Sequence, residues 1–258
     1  MEDRRLNAAA LDWAAPWLAP FARWRALLEA SDWRAAASDA ARALGVVSGG
    51  GQPIRFVAAN DAGATPYERH IADTGRVPTR ENWHDAFNAL AWLAYPRTKA
   101  ALNLRQAQEI ERLGIGPRRG PVRDAATLID ESGLLLASDD GAVFEALARR
   151  DWRRLLIDGR ARWGREIAAL AFGHALLEKL AGPYKAITAC VVPVPLSADA
   201  DAAAARFVAR ADLAPALLAH LPVLGIPGWW PANEDAGFYD DATVFRPPPP
   251  TNARRAAA

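Results

Sequence analysis

A mostly helical α+β fold, a single domain with a small antiparallel or mixed sheet, is the class the sequence predicts. Three observations predict it. Apolar residues recur at helical spacing over long stretches, above all from Trp83 to Leu113. Only short runs, such as Ile54-Arg55-Phe56-Val57-Ala58 and Ala186-Ile187-Thr188-Ala189-Cys190-Val191-Val192, read as strands. Glu131-Ser132-Gly133 lies between Thr127-Leu128-Ile129-Asp130 and Leu134-Leu135-Leu136-Ala137-Ser138, which suggests a hairpin.

Taken in order, residues 1–47 read as an N-terminal helical segment. Trp13, Trp17, Trp24, Leu27 and Leu28 fall near helical spacing, interrupted by Pro16 and Pro20. Ser31 is the expected N-cap of a helix from Asp32, and Gly45 its stop. A main α+β domain is expected over 53–246. Ser48-Gly49-Gly50-Gly51-Gln52 is a loop but not a phosphate loop, because no Gly-Lys-Ser/Thr follows. Thr65-Pro66-Tyr67-Glu68 has the form of a capping box with proline at the first helical position, and Gly75-Arg76-Val77-Pro78 ends that segment.

A central helix is expected from Trp83 to Tyr95. Pro96 cannot sit in its interior and opens the next helix, which runs to Leu113 and stops at Gly114. A Gly/Pro/Arg loop follows to Arg123. Helices are expected over Ala142 to Arg150, Trp152 to Ile157, Ala161 to Leu180 and Leu213 to His220. Residues 222–246 read as extended and aromatic, and 247–258 as a disordered tail.

Composition excludes several classes. Formal net charge is +1, so no global field draws nucleic acid or an anionic membrane. One cysteine, Cys190, leaves no internal disulfide or cysteine-rich metal site, and its apolar surroundings predict a buried, inert thiol. Ten tryptophans outnumber the tyrosines and the phenylalanines, so they are read first as core anchors and only second as a groove lining. No apolar signal segment follows Met1-Glu2-Asp3-Arg4-Arg5, and a cytoplasmic location is expected. Leu213 to Asn233 carries no charge, but its four prolines free too many backbone groups for a lone lipid-facing helix.

The chemistry-bearing residues cluster in the central helix. Trp83, Phe87, Leu90 and Ala94 form one core stripe, while His84, Asp85 and Asn88 occupy neighbouring faces of a helix that is apolar nearly all round. Shielded polar groups need partners. One reading is a structural network, with Asp85 paired to an arginine; the other is a catalytic set of His84, Asp85 and Asn88. In the next helix, Arg97, Thr98 and Lys99 fall in the first turn, where the helix dipole disfavours cations unless an anion is present. That anion is either a carboxylate of the chain or an external phosphate or carboxylate. His174 and Glu178 stand at i, i+4 and can reach one divalent metal, with Asp240 a further candidate ligand, although the second histidine of a zincin motif is missing. His174 also shares its face with Ile167, Leu170 and Leu177, so it is read first as a satisfied core histidine and only second as a ligand. Asp130 and Glu131 are accounted for by turn chemistry. Arg149, Arg150, Arg153, Arg154, Arg160, Arg162 and Arg165 crowd one segment, which reads as a solvated face or as a contact for nucleic-acid phosphates.

Several blocks resemble a known family. They are Asn82-Trp83-His84-Asp85 with Phe87-Asn88-Ala89-Leu90, Pro96-Arg97-Thr98-Lys99 with Leu102-Asn103, Gly173-His174-Ala175-Leu176-Leu177-Glu178-Lys179, and Pro222-Val223-Leu224-Gly225-Ile226-Pro227-Gly228-Trp229-Trp230-Pro231-Ala232-Asn233. Together they resemble a proteobacterial family catalogued only as a domain of unknown function. The resemblance implies a bacterial protein and brings no activity. Two functions follow from the residues: a hydrolase acting on a phosphate ester or similar anionic substrate, with a divalent metal as its candidate cofactor, or a non-enzymatic protein that binds protein or nucleic acid.

Overall fold

The computed structural model describes residues 6–63, 65–114 and 120–247. A 3-10 helix over Pro16–Trp24 leads into α1 (Arg25–Leu28) and α2 (Trp33–Ala43). The cap of α2 is Asp32, one residue later than expected, and its carboxylate accepts from the Ala35 N–H at 3.0 Å. Trp17, Leu18, Phe21 and Trp33 are buried in the same core as the later elements. The edge of Phe21 meets Tyr95, and Trp17 packs on Trp229, so the N-terminal segment is anchored by its aromatic residues.

Strand β1 (Arg55–Ala58) pairs in parallel with β2 (Arg76–Thr79), and α3 (Tyr67–Thr74) makes the crossover. The sequence pattern marked both the start of α3 near Pro66 and its end at Gly75, which turns left-handed at φ 68°, but β2 was not expected. No side chain caps α3, so the proposed capping box does not form.

Helix α4 (Trp83–Ala94) is the centre of the molecule, with every residue from Asp85 to Leu93 buried. Its cap is Asn82, whose side chain accepts from the Asp85 N–H at 2.8 Å. Helix α5 (Pro96–Leu113) begins and ends where proline and glycine predict. The expected hairpin is absent. Residues Pro121–Ser132 form α6, and only Gly133–Ala137 is a strand, β3. A run of Ala125, Ala126 and Ile129 at helical spacing, all buried, outweighs the turn signal at Gly133.

After α7 (Gly141–Arg149) and a π-helical turn over Arg153–Asp158, the expected long helix over Ala161 to Leu180 divides. It gives β4 (Ala168–Ala171) and α8 (His174–Leu180), because Ala168 to Ala171 pairs with β3. Then come β5 (Thr188–Val194), α9 (Ala200–Val208) and β6 (Ala219–Pro222); α9 and β6 were not expected, and a 3-10 turn over Pro215–Leu217 and the start of β6 stand where the last helix was predicted. The main sheet runs β4-β3-β5-β6, with β3 and β5 parallel and both outer pairs antiparallel. The fold is thus the mixed α+β class that the sequence predicts.

Cys190 is buried on β5 and its thiol pKa is pushed up to about 12 by burial, so it stays a thiol. No helix among the described residues is long and apolar enough to cross a membrane. Beyond Pro247, the expected tail lies outside the described residues.

Candidate functional site

Helices α3, α4, α5, α6 and α8 surround a cavity of about 490 Å³. This is an ordinary size for a small-molecule site. His84, Asp85 and Asn88 line it from α4, and Asp130, Glu131 and His174 from the junction of α6 with α8.

Backbone geometry makes that junction. The Phe172 and Gly173 N–H groups both donate to the Gly133 carbonyl, at 3.1 and 2.9 Å, and tie the start of α8 to the end of α6. Gly173 lies so close that a Cβ there would stand 2.5 Å from the Glu131 carbonyl oxygen. The next residue, His174, is therefore delivered beside Asp130 and Glu131. Packing of α8 against α4 then brings His174 to His84, with ring centroids 4.4 Å apart and planes nearly perpendicular at 82°.

The two histidines are held differently. His84 Nδ1 lies 2.9 Å from Glu178 Oε2, which fixes the ring and leaves Nε2 uncommitted. His174 is 5% exposed, and its Nε2 lies 3.6 Å from Glu131 Oε2. Its buried Nδ1 makes no hydrogen bond of normal geometry and stands 3.9 Å from Asp130 Oδ2. Burial lowers the His174 pKa to about 4, against the opposing pull of Asp130, so the ring is neutral near pH 7. One ligand atom each of His84, Glu131 and His174 lies within 4.8 Å of the others. Burial raises the pKa of Glu131, with His84 opposing it.

A polar network supports this group from below. Lys99 is 4% exposed; its Nζ donates to Asp130 Oδ1 and, at 2.8 Å, to Asn88 Oδ1. Asn88 Nδ2 donates to the Tyr67 hydroxyl at 3.2 Å. The Tyr67 pKa stands well above its ordinary value because its hydroxyl is buried, next to Glu68, Asp130 and Asp85. Burial would raise the Asp130 pKa, but Lys99 and then His174 hold it below the usual carboxylate value.

The residues singled out from the sequence divide accordingly. His84, Asp85 and Asn88 all reach the cavity, but their side chains make no hydrogen bond to one another and each has its own partner. Asp85 accepts from the Arg80 N–H at 2.6 Å and from its guanidinium at 3.1 Å, closing the start of α4. Arg97, Thr98 and Lys99 do not converge on one anion. Asp201 of α9 sits on the first turn of α5, accepting from the N–H groups of Arg97 and Thr98 at 3.0 and 2.8 Å and from the Thr98 hydroxyl at 2.7 Å. Arg97 pairs with Asp199, and Lys99 turns inward. A carboxylate of the chain itself therefore fills the place that a free anion would take.

His174 and Glu178 do project from one face of α8 to one partner, His84. Asp240 is exposed and takes no part in lining the cavity. In the arginine segment, Arg153 pairs with Asp158, Arg160 with Glu234 and Asn233, and Arg162 with Asp140 and Glu166. These are bonds that staple the segment to its own neighbours.

Sequence reasoning missed Asp130 and Glu131 by placing them in a turn. It also missed Tyr67, Glu68, Arg80 and Arg123 on the cavity wall. The available signal was the spacing of Arg123, Thr127, Asp130 and Glu131, which marks one polar face once the segment is read as a helix.

No curated protein and no solved structure matches the chain. A family model described as "Protein of unknown function (DUF3025)" matches residues 54–248, a span that includes every cavity residue named above. The chain belongs to the DUF3025 family.

Proposed function

We propose that the cavity is a divalent-metal centre that hydrolyses an anionic ester, with phosphate esters as the leading class. The observation that carries this reading is the convergence of His84, Glu131 and His174. Two imidazoles and one carboxylate, with positions left open for water and substrate, form the donor set of many hydrolytic zinc sites. The surroundings fit as well. Metal-binding histidines commonly carry a carboxylate on the other ring nitrogen, and Glu178 stands behind His84 while Asp130 stands near His174 Nδ1.

Charge supports the same assignment. The carboxylates of Glu68, Asp85, Asp130 and Glu131 face the cations of Arg80, Lys99 and Arg123, so the cavity is acidic as it stands. A dication reverses that sign and makes the cavity attractive to an anion. The metal would acidify its bound water to supply hydroxide at neutral pH. Within the chain, Glu178 orients His84, and burial raises the pKa of Glu131 above the usual carboxylate value.

Hydrolysis of p-nitrophenyl phosphate is the test. Chelator-treated protein should be inactive and should recover with zinc or manganese, and Glu131→Gln should lose at least a hundredfold in kcat/KM. Turnover that is indifferent both to chelation and to Glu131→Gln would defeat the reading. The binding-protein alternative has less support, because three of the seven arginines that suggested it, Arg153, Arg160 and Arg162, are paired with carboxylates of the chain.

A further inference from the structure

The end of the cavity away from the histidines has its own chemistry. Helix α6 lines the cavity with Arg123, Thr127, Asp130 and Glu131, which recur at i, i+4, i+7 and i+8 along one face. Asp130 and Glu131 belong to the metal-binding end. Arg123 lies two helical turns away, about 10 Å along the helix axis at 1.5 Å per residue.

Arg123 is unusual among the cations of the site. Arg80 is paired with Asp85, and Lys99 with Asp130. The Arg123 guanidinium has no hydrogen bond or ion pair among the described residues, although its charge is felt by the Glu68 and Glu109 carboxylates, and its Nε is fully buried. A buried donor left unmatched costs stability, and proteins rarely retain one without a use. Two further groups at this end are uncommitted. Thr127 and Gln106 both line the cavity, Gln106 is only 7% exposed, and neither side chain makes a hydrogen bond among the described residues.

We propose that Arg123, with Thr127 and Gln106, forms an oxyanion subsite that holds a phosphate or carboxylate of the substrate about two helical turns from the hydrolysed bond. A guanidinium matches either oxyanion with paired N–H groups, and a hydroxyl and an amide complete the set of donors. The substrate is then a molecule with an anionic group remote from the bond that is cleaved. This rests on the hydrolytic reading for the identity of the cleaved end, but the subsite itself is defined by residues that, among the described residues, make no hydrogen bond or ion pair to a candidate metal ligand.

The test is titration calorimetry with inorganic phosphate on full-length protein, in chelator-treated and zinc-loaded forms. The proteins are wild type, Arg123→Met, Arg123→Lys and Gln106→Met. Wild type should bind phosphate in both forms, through Arg123, and more tightly when zinc-loaded because the dication offsets the carboxylates of the cavity. Arg123→Met should weaken binding at least tenfold in both, Arg123→Lys less, and Gln106→Met about threefold, with metal content unchanged throughout. A repeat with acetate in place of phosphate distinguishes the two oxyanions, and the tighter one names the substrate's group.

Equal phosphate affinity in wild type and Arg123→Met would overturn the subsite, as would no binding to either form of the wild type. Binding confined to zinc-loaded protein and unchanged by Arg123→Met would mean that the anion sits on the metal, which overturns the subsite and spares the metal centre. Arg123-dependent binding in a protein that takes up no metal would uphold the subsite and defeat the metal centre.

Discussion

Replacing Lys99 with methionine tests the polar network under the histidines. The substitution keeps an unbranched side chain, one atom shorter, and deletes its charge. Asp130, whose side chain is 13% exposed, is then left without its ion-pair partner, and Asn88 Oδ1 loses its donor. Breaking a buried pair by removing one member costs about 3–5 kcal/mol. Asp130 keeps some contact with the cavity, which argues for the lower end, about 3 kcal/mol. For a chain of this size each kcal/mol is worth roughly 2–4 °C, so the midpoint should fall by about 6–12 °C.

The deficit should depend on pH, and the sign follows from Asp130. In the wild type its pKa is held below 3.8, so its stabilisation is complete above that value and is lost only as pH falls through the depressed folded pKa. Without Lys99, burial dominates and raises the pKa, so an ionised Asp130 is penalised increasingly as pH rises. Scanning calorimetry should therefore show a larger deficit at pH 8 than at pH 5. The double variant Lys99→Met/Asp130→Asn should regain more than half of the loss, because neither charge remains. A single variant that melts within about 1 °C of wild type at both pH values would refute the reasoning.

Other consequences are independent of that pair. Asp201→Ala strips the start of α5 of its carboxylate and should cost about 1–2 kcal/mol, read in urea denaturation, with no change in metal content. Glu178→Gln should leave the thermal midpoint nearly unchanged, because Glu178 is half exposed, yet weaken metal binding by about 10–100-fold through looser control of His84; equal affinity in a competition titration would count against the orienting role. Gly173→Ala places a methyl group against the backbone of Glu131 and Gly133, and should lower both stability and metal content. His174 enters the fold neutral, so unfolded chains take up a proton that the folded chain refuses between pH 6.5 and about 4. Stability should therefore fall as pH drops through that window, and the slope should flatten in His174→Gln, as followed by denaturation midpoints.

Local signals made the centre of the fold legible. Pro96 and Gly114 mark the ends of α5, and the apolar run of α4 announces a helix enclosed by protein. Elements whose identity depends on distant partners were hidden. Ala168 to Ala171 has no strand propensity of its own and is a strand because β3 lies beside it. Similarly, Ala219–Pro222 is recruited by β5 rather than declared by its residues. The site shows the same division. His84, Asn88, His174 and Glu178 stand out as polar residues on apolar helices, but the meeting of His84 with His174 is a tertiary fact that spacing within one helix cannot reveal. Glu131 was hidden by a local misreading, because glycine after two acids looks like a turn, whereas here it opens a buried strand.

The most direct test of the account is the metal content of the purified protein, measured by elemental mass spectrometry on wild type, His84→Ala, Glu131→Ala and His174→Ala, each checked for folding by circular dichroism. Close to one divalent ion per chain is expected in the wild type, and its loss in all three folded variants. A wild type that takes up no zinc, manganese or iron even after reconstitution, or variants that retain the wild-type content, would contradict it.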